Sequence, residues 1–278
     1  MCDVNKRRFR CTCASRYIGH RCQFEVMQSQ LTALPVAETP SPPPQVTQPP
    51  SPTFQGANSE PPPRSCRDVK TSTNPRENGI YQILDDQNVS FPVYCDFGSG
   101  PWAAWTLIQS YSLENNNAFK HKAFFQFHMP INQDAPEWDN YRLSMSRMKS
   151  IANVSTHWRA TCNFSKDNVV DFRDYLRASL SEIDLFEVPG VALYCAKYDH
   201  VDVRGNRCEN CTAFTVHLWN HGFHIDSWKG NYYGCDFNGK PNGGMISEDN
   251  FGFYDIRNPS FRCTSKVTST TQYWIGGK

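Results

Sequence analysis

No stretch of this chain approaches the roughly 20 consecutive apolar residues that cross a bilayer as a helix, so no membrane span is expected. Neither charge is in surplus. Twenty-eight Lys and Arg against 27 Asp and Glu leave a formal net charge of +1. That balance argues against a broad attraction to nucleic acid or anionic membrane, and equally against a strongly acidic, mineral-nucleating chain. Patterns that place a nucleophile, a phosphate cradle or a catalytic zinc are also absent: there is no G-x-S-x-G, no G-x-x-x-x-G-K-[ST] and no H-E-x-x-H. Paired carboxylates such as Glu137 and Asp139 have no cleft that sequence assigns to them. The expectation is a protein that is not an enzyme and requires no cofactor. No internal repeat of fixed period is present.

Cysteine, by contrast, is plentiful. Twelve cysteines in 278 residues are many for a reducing compartment, where disulfides are rare. Four N-x-[ST] sequons, at Asn88, Asn153, Asn163 and Asn210, point the same way, because they are acceptors for N-glycans in the secretory pathway. The chain is read as secreted and extracellular.

Three compositions follow one another. Residues 1–26 are short and cysteine-rich. Residues 27–64 hold 11 of the 19 prolines and no cysteine. Runs such as PSPPP and EPPPR favour polyproline II and bury no core, so this segment is a semi-rigid spacer, on the order of 100 Å when extended. Residues 65–278 have a globular composition. GIYQIL, FPVYCDF and WTLIQSYSL are β-branched and aromatic runs that predict strands. Tyr141, Met145, Met148 and Ile151 fall at helical spacing, and so do Val169, Phe172, Leu176 and Leu180, with Ser165 or Asp167 as a cap for the second helix. After VALYCAKYD the chain reads as long loops pinned by disulfides and short strands. The expected class is α+β.

The spacing of Cys2, Cys11, Cys13 and Cys22, with Tyr17 and Gly19, resembles the second half of an EGF-like module. The resemblance implies a Cys13–Cys22 bridge. It also implies that the partners of Cys2 and Cys11 lie upstream, so that Met1 is not the mature start and a signal peptide is missing from this piece; the alternative is a Cys2–Cys11 bridge. Cys66, Gly79-Ile80-Tyr81-Gln82-Ile83, Val93-Tyr94-Cys95-Asp96 and Trp105-Thr106-Leu107-Ile108-Gln109 resemble the opening of a fibrinogen-like domain and imply a Cys66–Cys95 bridge. Ala103-Ala104 stands where that family has Gly-Gly. Its calcium loop and its Trp-Trp-Tyr cysteine loop have no counterpart here. Stretches such as STHWRATC, CENCTAF and ISEDNFGFYD are similar to a divergent branch found in coral skeletal organic-matrix proteins. What this implies is a divergent fibrinogen-like domain in a scaffold or adhesion protein of a calcified skeleton's organic matrix, with extracellular matrix proteins, glycans or calcified mineral as partners. The rival expectation is a soluble fibrinogen-related lectin for glycans or acetylated groups.

The remaining cysteines, Cys162, Cys195, Cys208, Cys211, Cys235 and Cys263, allow 15 pairings, with a lean towards Cys162–Cys195 and Cys235–Cys263. Cys208-x-x-Cys211 is read as a structural disulfide rather than a redox motif or half a zinc site, since no thioredoxin-like βαβ pattern surrounds it. His217, His221 and His224 follow an H-x3-H-x2-H spacing, with Asp226 close behind. The glycine and aromatics around them argue against a shared helix face, so surface or loop histidines are expected rather than zinc ligands. Glu248, Asp249 and Asp255 are weak calcium candidates, with Asp236 or Asn238 as further oxygen donors, because calcium takes six to eight of them. The C-terminal aromatics, among them Trp219, Trp228, Phe253 and Trp274, are read as core before sugar platform.

Overall fold

The computed structural model describes residues 61–75, 77–99, 104–168, 170–228 and 234–277, together with the backbone of four short strands near the start. The chain divides into two compact units, Met1–Gly56 and Ala57–Lys278. In the first, β1 (Cys2–Asn5) pairs antiparallel with β2 (Arg8–Cys11), which sets Cys2 opposite Cys11. There β3 (Tyr17–Ile18) also pairs with β4 (Phe24–Glu25). Cys13, Cys22 and the spacer up to residue 60 lie outside the described residues.

The second unit opens on α1 (Cys66–Thr73). Ser65 caps it by accepting from the Asp68 amide, and Asn74 ends it in the left-handed region. A meander follows: β5 (Gly79–Leu84), β6 (Ser90–Asp96) and β7 (Trp105–Ser112), with every residue of β7 buried. All three strands match the sequence expectation. The edge of β7 is shared. Its first residues pair with β6, and Gln109–Tyr111 pair with β8 (Asn140–Arg142).

A second meander runs through β9 (His157–Cys162), β10 (Tyr175–Ser179), β11 (Leu193–Val203), β12 (Asn206–Val216) and β13 (His224–Ile225). The last strand, β14 (Thr270–Gly276), lies between β7 and β9 and joins the two meanders into one antiparallel sheet of ten strands. All seven of its residues are buried, so both faces of the sheet are covered at its centre.

The expected α+β, fibrinogen-like fold class is therefore corrected to a β-rich one. Among the described residues, helix is confined to α1, a 3-10 turn (Leu113–Asn115) running into a single turn α2 (Asn116–Phe119), α3 (Met145–Asn153) and a single turn α4 (Phe164–Asp167). Of the two helices expected between 140 and 188, the first is α3 without Tyr141, which sits on β8. The second does not form. Asn168, Phe172 and Asp174 adopt positive φ of 50°, 60° and 51°, and Leu176 lies on β10. Asp174 explains the choice. Its buried carboxylate accepts from the Arg204 amide at 2.5 Å and the Arg262 amide at 3.0 Å. Those distant ties outweigh an apolar spacing of 3.6. The expected loop-rich end holds for residues 217–269, which carry only the two-residue β13 among the described residues, but it starts later than expected. β11 and β12 are eleven residues each, joined by Arg204-Gly205 with φ of 57° and 83°, the two positive values that a tight type I′ hairpin turn requires.

Disulfides join Cys66–Cys95, Cys162–Cys263, Cys195–Cys235 and Cys208–Cys211. The implied first bridge and the reading of Cys208-x-x-Cys211 hold. The lean towards Cys162–Cys195 and Cys235–Cys263 is overturned. Cys162 ends β9 opposite Thr271 of β14, so the segment leading into β14, which carries Cys263, passes beside it. The Cys263 sulfur lies 3.8 Å from Thr161 O. Cys195 is two strands away, on β11, and takes Cys235 from the loop packed over Phe214 and Val216.

A buried charge pair crosses the centre of the sheet. Arg159 of β9 and Asp96 of β6 are both fully buried, with Nη2 2.5 Å from Oδ2. Arg159 also donates to Ser99 O, while Asp96 Oδ1 accepts from the amides of Gly98 and Ser99. The guanidinium lies 4.6 Å from the Trp105 ring and 4.8 Å from the Trp274 ring.

Asp96→Ala strands that guanidinium and should cost about 3–5 kcal/mol, read as a lowered urea midpoint. Non-reducing peptide mapping should recover Cys162–Cys263 and Cys195–Cys235, with neither Cys162–Cys195 nor Cys235–Cys263 present.

Candidate functional site

The three calcium candidates face three different partners. Glu248 is buried and serves as an internal counter-ion. It accepts from Arg204 Nη1 at 2.6 Å, from Asn258 Nδ2 at 2.7 Å and from the Met245 amide at 3.2 Å. Arg204 also donates to Gly239 O, so one turn arginine fastens the β11–β12 hairpin to the 239–258 segment. Asp255 pairs with Lys120 at 3.4 Å on the surface. Asp249 lies next to Asn250, whose backbone exchanges two hydrogen bonds with Ile225, and it therefore faces β13. Asp236 is held by the Thr212 amide and hydroxyl, and Asn238 accepts from the Lys240 amide.

The histidine motif is split. His217 and His224 are buried, 2% and 1% exposed; His217 lies in a loop, as expected, whereas His224 sits on β13 and departs from the expectation of a surface or loop histidine. His217 packs edge-on against Phe125 and Phe223, and burial lowers its pKa to about 4. Asp226 belongs elsewhere, with Oδ1 accepting from the Trp228 amide. His221 and His224 come together with Asp249. One ligand atom from each lies within 4.8 Å of the others, and His224 Nε2 is 3.8 Å from Asp249 Oδ2. Phe253 stacks on the His221 ring at 4.0 Å between centroids. Burial, reinforced by repulsion from His121, keeps the pKa of His221 below the ordinary histidine value.

The two loops that carry this trio are locked together. A Cβ on Gly252 would fall 1.7 Å from Phe223 O, and one on Gly222 would fall 2.6 Å from Gly252 O, so both positions need glycine for close approach. The Tyr273 hydroxyl of β14 lies 2.6 Å from Phe223 O and 2.6 Å from Phe251 O, one carbonyl in each loop. Sequence reasoning singled out all three side chains but grouped them wrongly, with His217 in one set and with Glu248 in the other. The Ile225–Asn250 bridge, which brings 249 beside 224, leaves no local signal.

A groove of about 400 Å³ opens beside the Cys162–Cys263 bridge, bordered by Lys166, Arg173, Arg262 and Asp171. Arg262 grips Asp171 through both terminal nitrogens at 2.7 Å, which lowers the Asp171 pKa. Among the sequons, Asn88, Asn153 and Asn210 are exposed. Asn163 is occupied structurally. Its amide donates to Arg262 O at 2.8 Å and its Oδ1 accepts from the Thr270 amide at 2.9 Å. Of the C-terminal aromatics, Phe237, Phe251, Phe253, Tyr254 and Trp274 are buried, while Trp219 is 57% exposed.

Compared with known proteins, the chain matches no family model and no curated sequence.

The buried histidines set the acid side of stability. His217 folds neutral with a pKa moved from 6.5 to about 4, so the unfolded chain binds more protons between those values. Its contribution, about 3 kcal/mol, is complete above pH 6.5 and is lost as pH falls towards 4. His200 and His221 are displaced in the same direction, whereas Asp174, raised by burial, works in the opposite one. Urea unfolding of the native chain and of His217→Phe should give stabilities whose difference changes by about 3 kcal/mol between pH 7 and pH 4, with the variant less acid-sensitive.

Proposed function

We propose that this chain is a secreted scaffold or adhesion protein of an extracellular matrix, working within the organic matrix of a calcified skeleton. The observation that carries the reading is covalent bracing. All eight cysteines between residues 61 and 277 are paired; three bridges tie β6, β9 and β11 to segments outside them, and the fourth, Cys208–Cys211, braces β12 locally. Disulfides persist in oxidising compartments and are rare in reducing ones, which supports secretion. No helix among the described residues is long and apolar enough to cross a membrane. Three exposed sequon asparagines are accessible to glycosylation enzymes, and the proline-rich spacer suits a protein that holds two contact surfaces apart.

A glycan-binding reading draws on the groove beside Cys162–Cys263, where Lys166, Arg173 and Arg262 outnumber the acids Asp171 and Asp174. In that reading the ligand is an anionic sugar rather than a neutral one.

The deciding experiment is mass spectrometry of proteins released by dissolving oxidant-cleaned mineral from the animal that makes this chain. Peptides from residues 65–278 are expected in the occluded fraction. Their confinement to soft tissue would overturn the skeletal assignment. Retention of the chain on an immobilised sulfated glycan would then favour the groove.

A further inference from the structure

His224 presents a fixed lone pair. Its Nδ1 lies 2.8 Å from Gly222 O, and a carbonyl only accepts, so Nδ1 carries the proton and Nε2 of the neutral ring is a base. A backbone carbonyl holding the far ring nitrogen is also how metal-ligating histidines are commonly oriented. That Nε2 lies 3.8 Å from a carboxylate oxygen, Asp249 Oδ2. His221 brings a third donor to the same point.

The spacing favours a metal ion. Tetrahedral ligands about 2.0–2.2 Å from zinc are roughly 3.3 Å apart. The 3.8 Å separation of His224 and Asp249 exceeds that by about half an ångström. The trio's outer limit of 4.8 Å closes by side-chain rotation of the half-buried His221 and Asp249. The backbones need not move, because the two loops are already clamped through Gly222, Gly252 and Tyr273.

The donor set also selects the ion. Two imidazoles and one carboxylate suit a first-row divalent ion such as zinc or copper, whereas calcium seeks six to eight oxygens. We propose that His221, His224 and Asp249 form a zinc-class metal site with three protein ligands. His224 is the buried anchor, and the Asp249 side chain, 17% exposed, is more open to solvent. The site belongs to the folded sheet, since the Ile225–Asn250 bridge joins β13 to the 249–253 segment. It goes beyond the scaffold reading and stands independently of it.

The full chain, made in an oxidising secretory host and stripped with chelator, is titrated with zinc sulfate alone. The expected result is one zinc per chain and a raised melting temperature, with no shift from millimolar calcium. Substituting Co²⁺ should give the visible bands of a four-coordinate N/O site. His221→Gln and Asp249→Asn, both only partly buried, should each weaken zinc binding at least tenfold while their metal-free melting temperatures match the metal-free parent. His128→Gln, at an exposed histidine outside the trio, should bind as the parent does. Absence of stoichiometric zinc in the parent, or unchanged affinity in both trio variants, would overturn the site. A variant whose metal-free melting temperature falls is replaced by His221→Asn or Asp249→Ser, judged by the same tenfold criterion.

Discussion

The charge of Arg159, buried where four strands meet, constrains everything around it. A guanidinium cannot be left without partners in a low-dielectric interior. Asp96 answers it from β6, the Ser99 carbonyl from the turn after β6, and the faces of Trp105 and Trp274 from β7 and β14. Each partner satisfies it only if its strand is in register, so the pair specifies geometry more than it adds net stability. Arg142 shows the other solution. It is met by neutral oxygens of Gln109, Lys122 and Ala123 and by the face of Phe124. Burial lowers its pKa to about 10, which leaves it charged at neutral pH.

The second constraint is topological. Consecutive strands pair in two meanders, β5–β7 and β9–β13, and only β14 connects them. Neither half presents a finished core without it. Trp274, Tyr273 and Ile275 supply the centre, and Tyr273 reaches on to hold the two loops of the histidine–aspartate trio. The most structurally demanding segment of the sheet is thus also the one that positions its most ligand-like cluster. Such sheets depend on long-range pairings whose loop-closure cost precedes their reward.

The parts of this architecture that were legible in the sequence were those with local causes. The β-branched runs of β5, β6 and β7 formed strands, and the helical spacing of Met145, Met148 and Ile151 formed α3. Illegible were the elements decided at a distance. Helical spacing over 169–180 was real, yet Asp174 is worth more as an acceptor for Arg204 and Arg262 than as a helical residue, and Leu176 follows it into β10. Cys263 could be matched to Cys162 only once β14 was known to lie beside β9. The acids at 248, 249 and 255 look alike in sequence, and tertiary contacts gave each a different partner: an arginine, a pair of histidines and a surface lysine. Resemblance in the first strands extended an architecture over a second half that folds differently.

Tension gives the Cys162–Cys263 bridge another meaning. Its cysteines are 101 residues apart, and those of Cys66–Cys95 are 29 apart. A pull applied between the two ends of the described domain passes through these sulfurs rather than through the chain they enclose. The long β11–β12 hairpin, the groove and the histidine–aspartate cluster all lie inside the larger loop and carry no load while the bridge is oxidised. Force reaches β7, β9 and β14 instead, because β5 lies inside the Cys66–Cys95 loop. There Trp105, where load enters β7, lies opposite Gly276, where it leaves β14, so the two strands are peeled apart from that end one residue pair at a time. A domain braced this way lengthens under load only by what the sheet between its bridges releases, and the loops that the bridges close stay folded meanwhile.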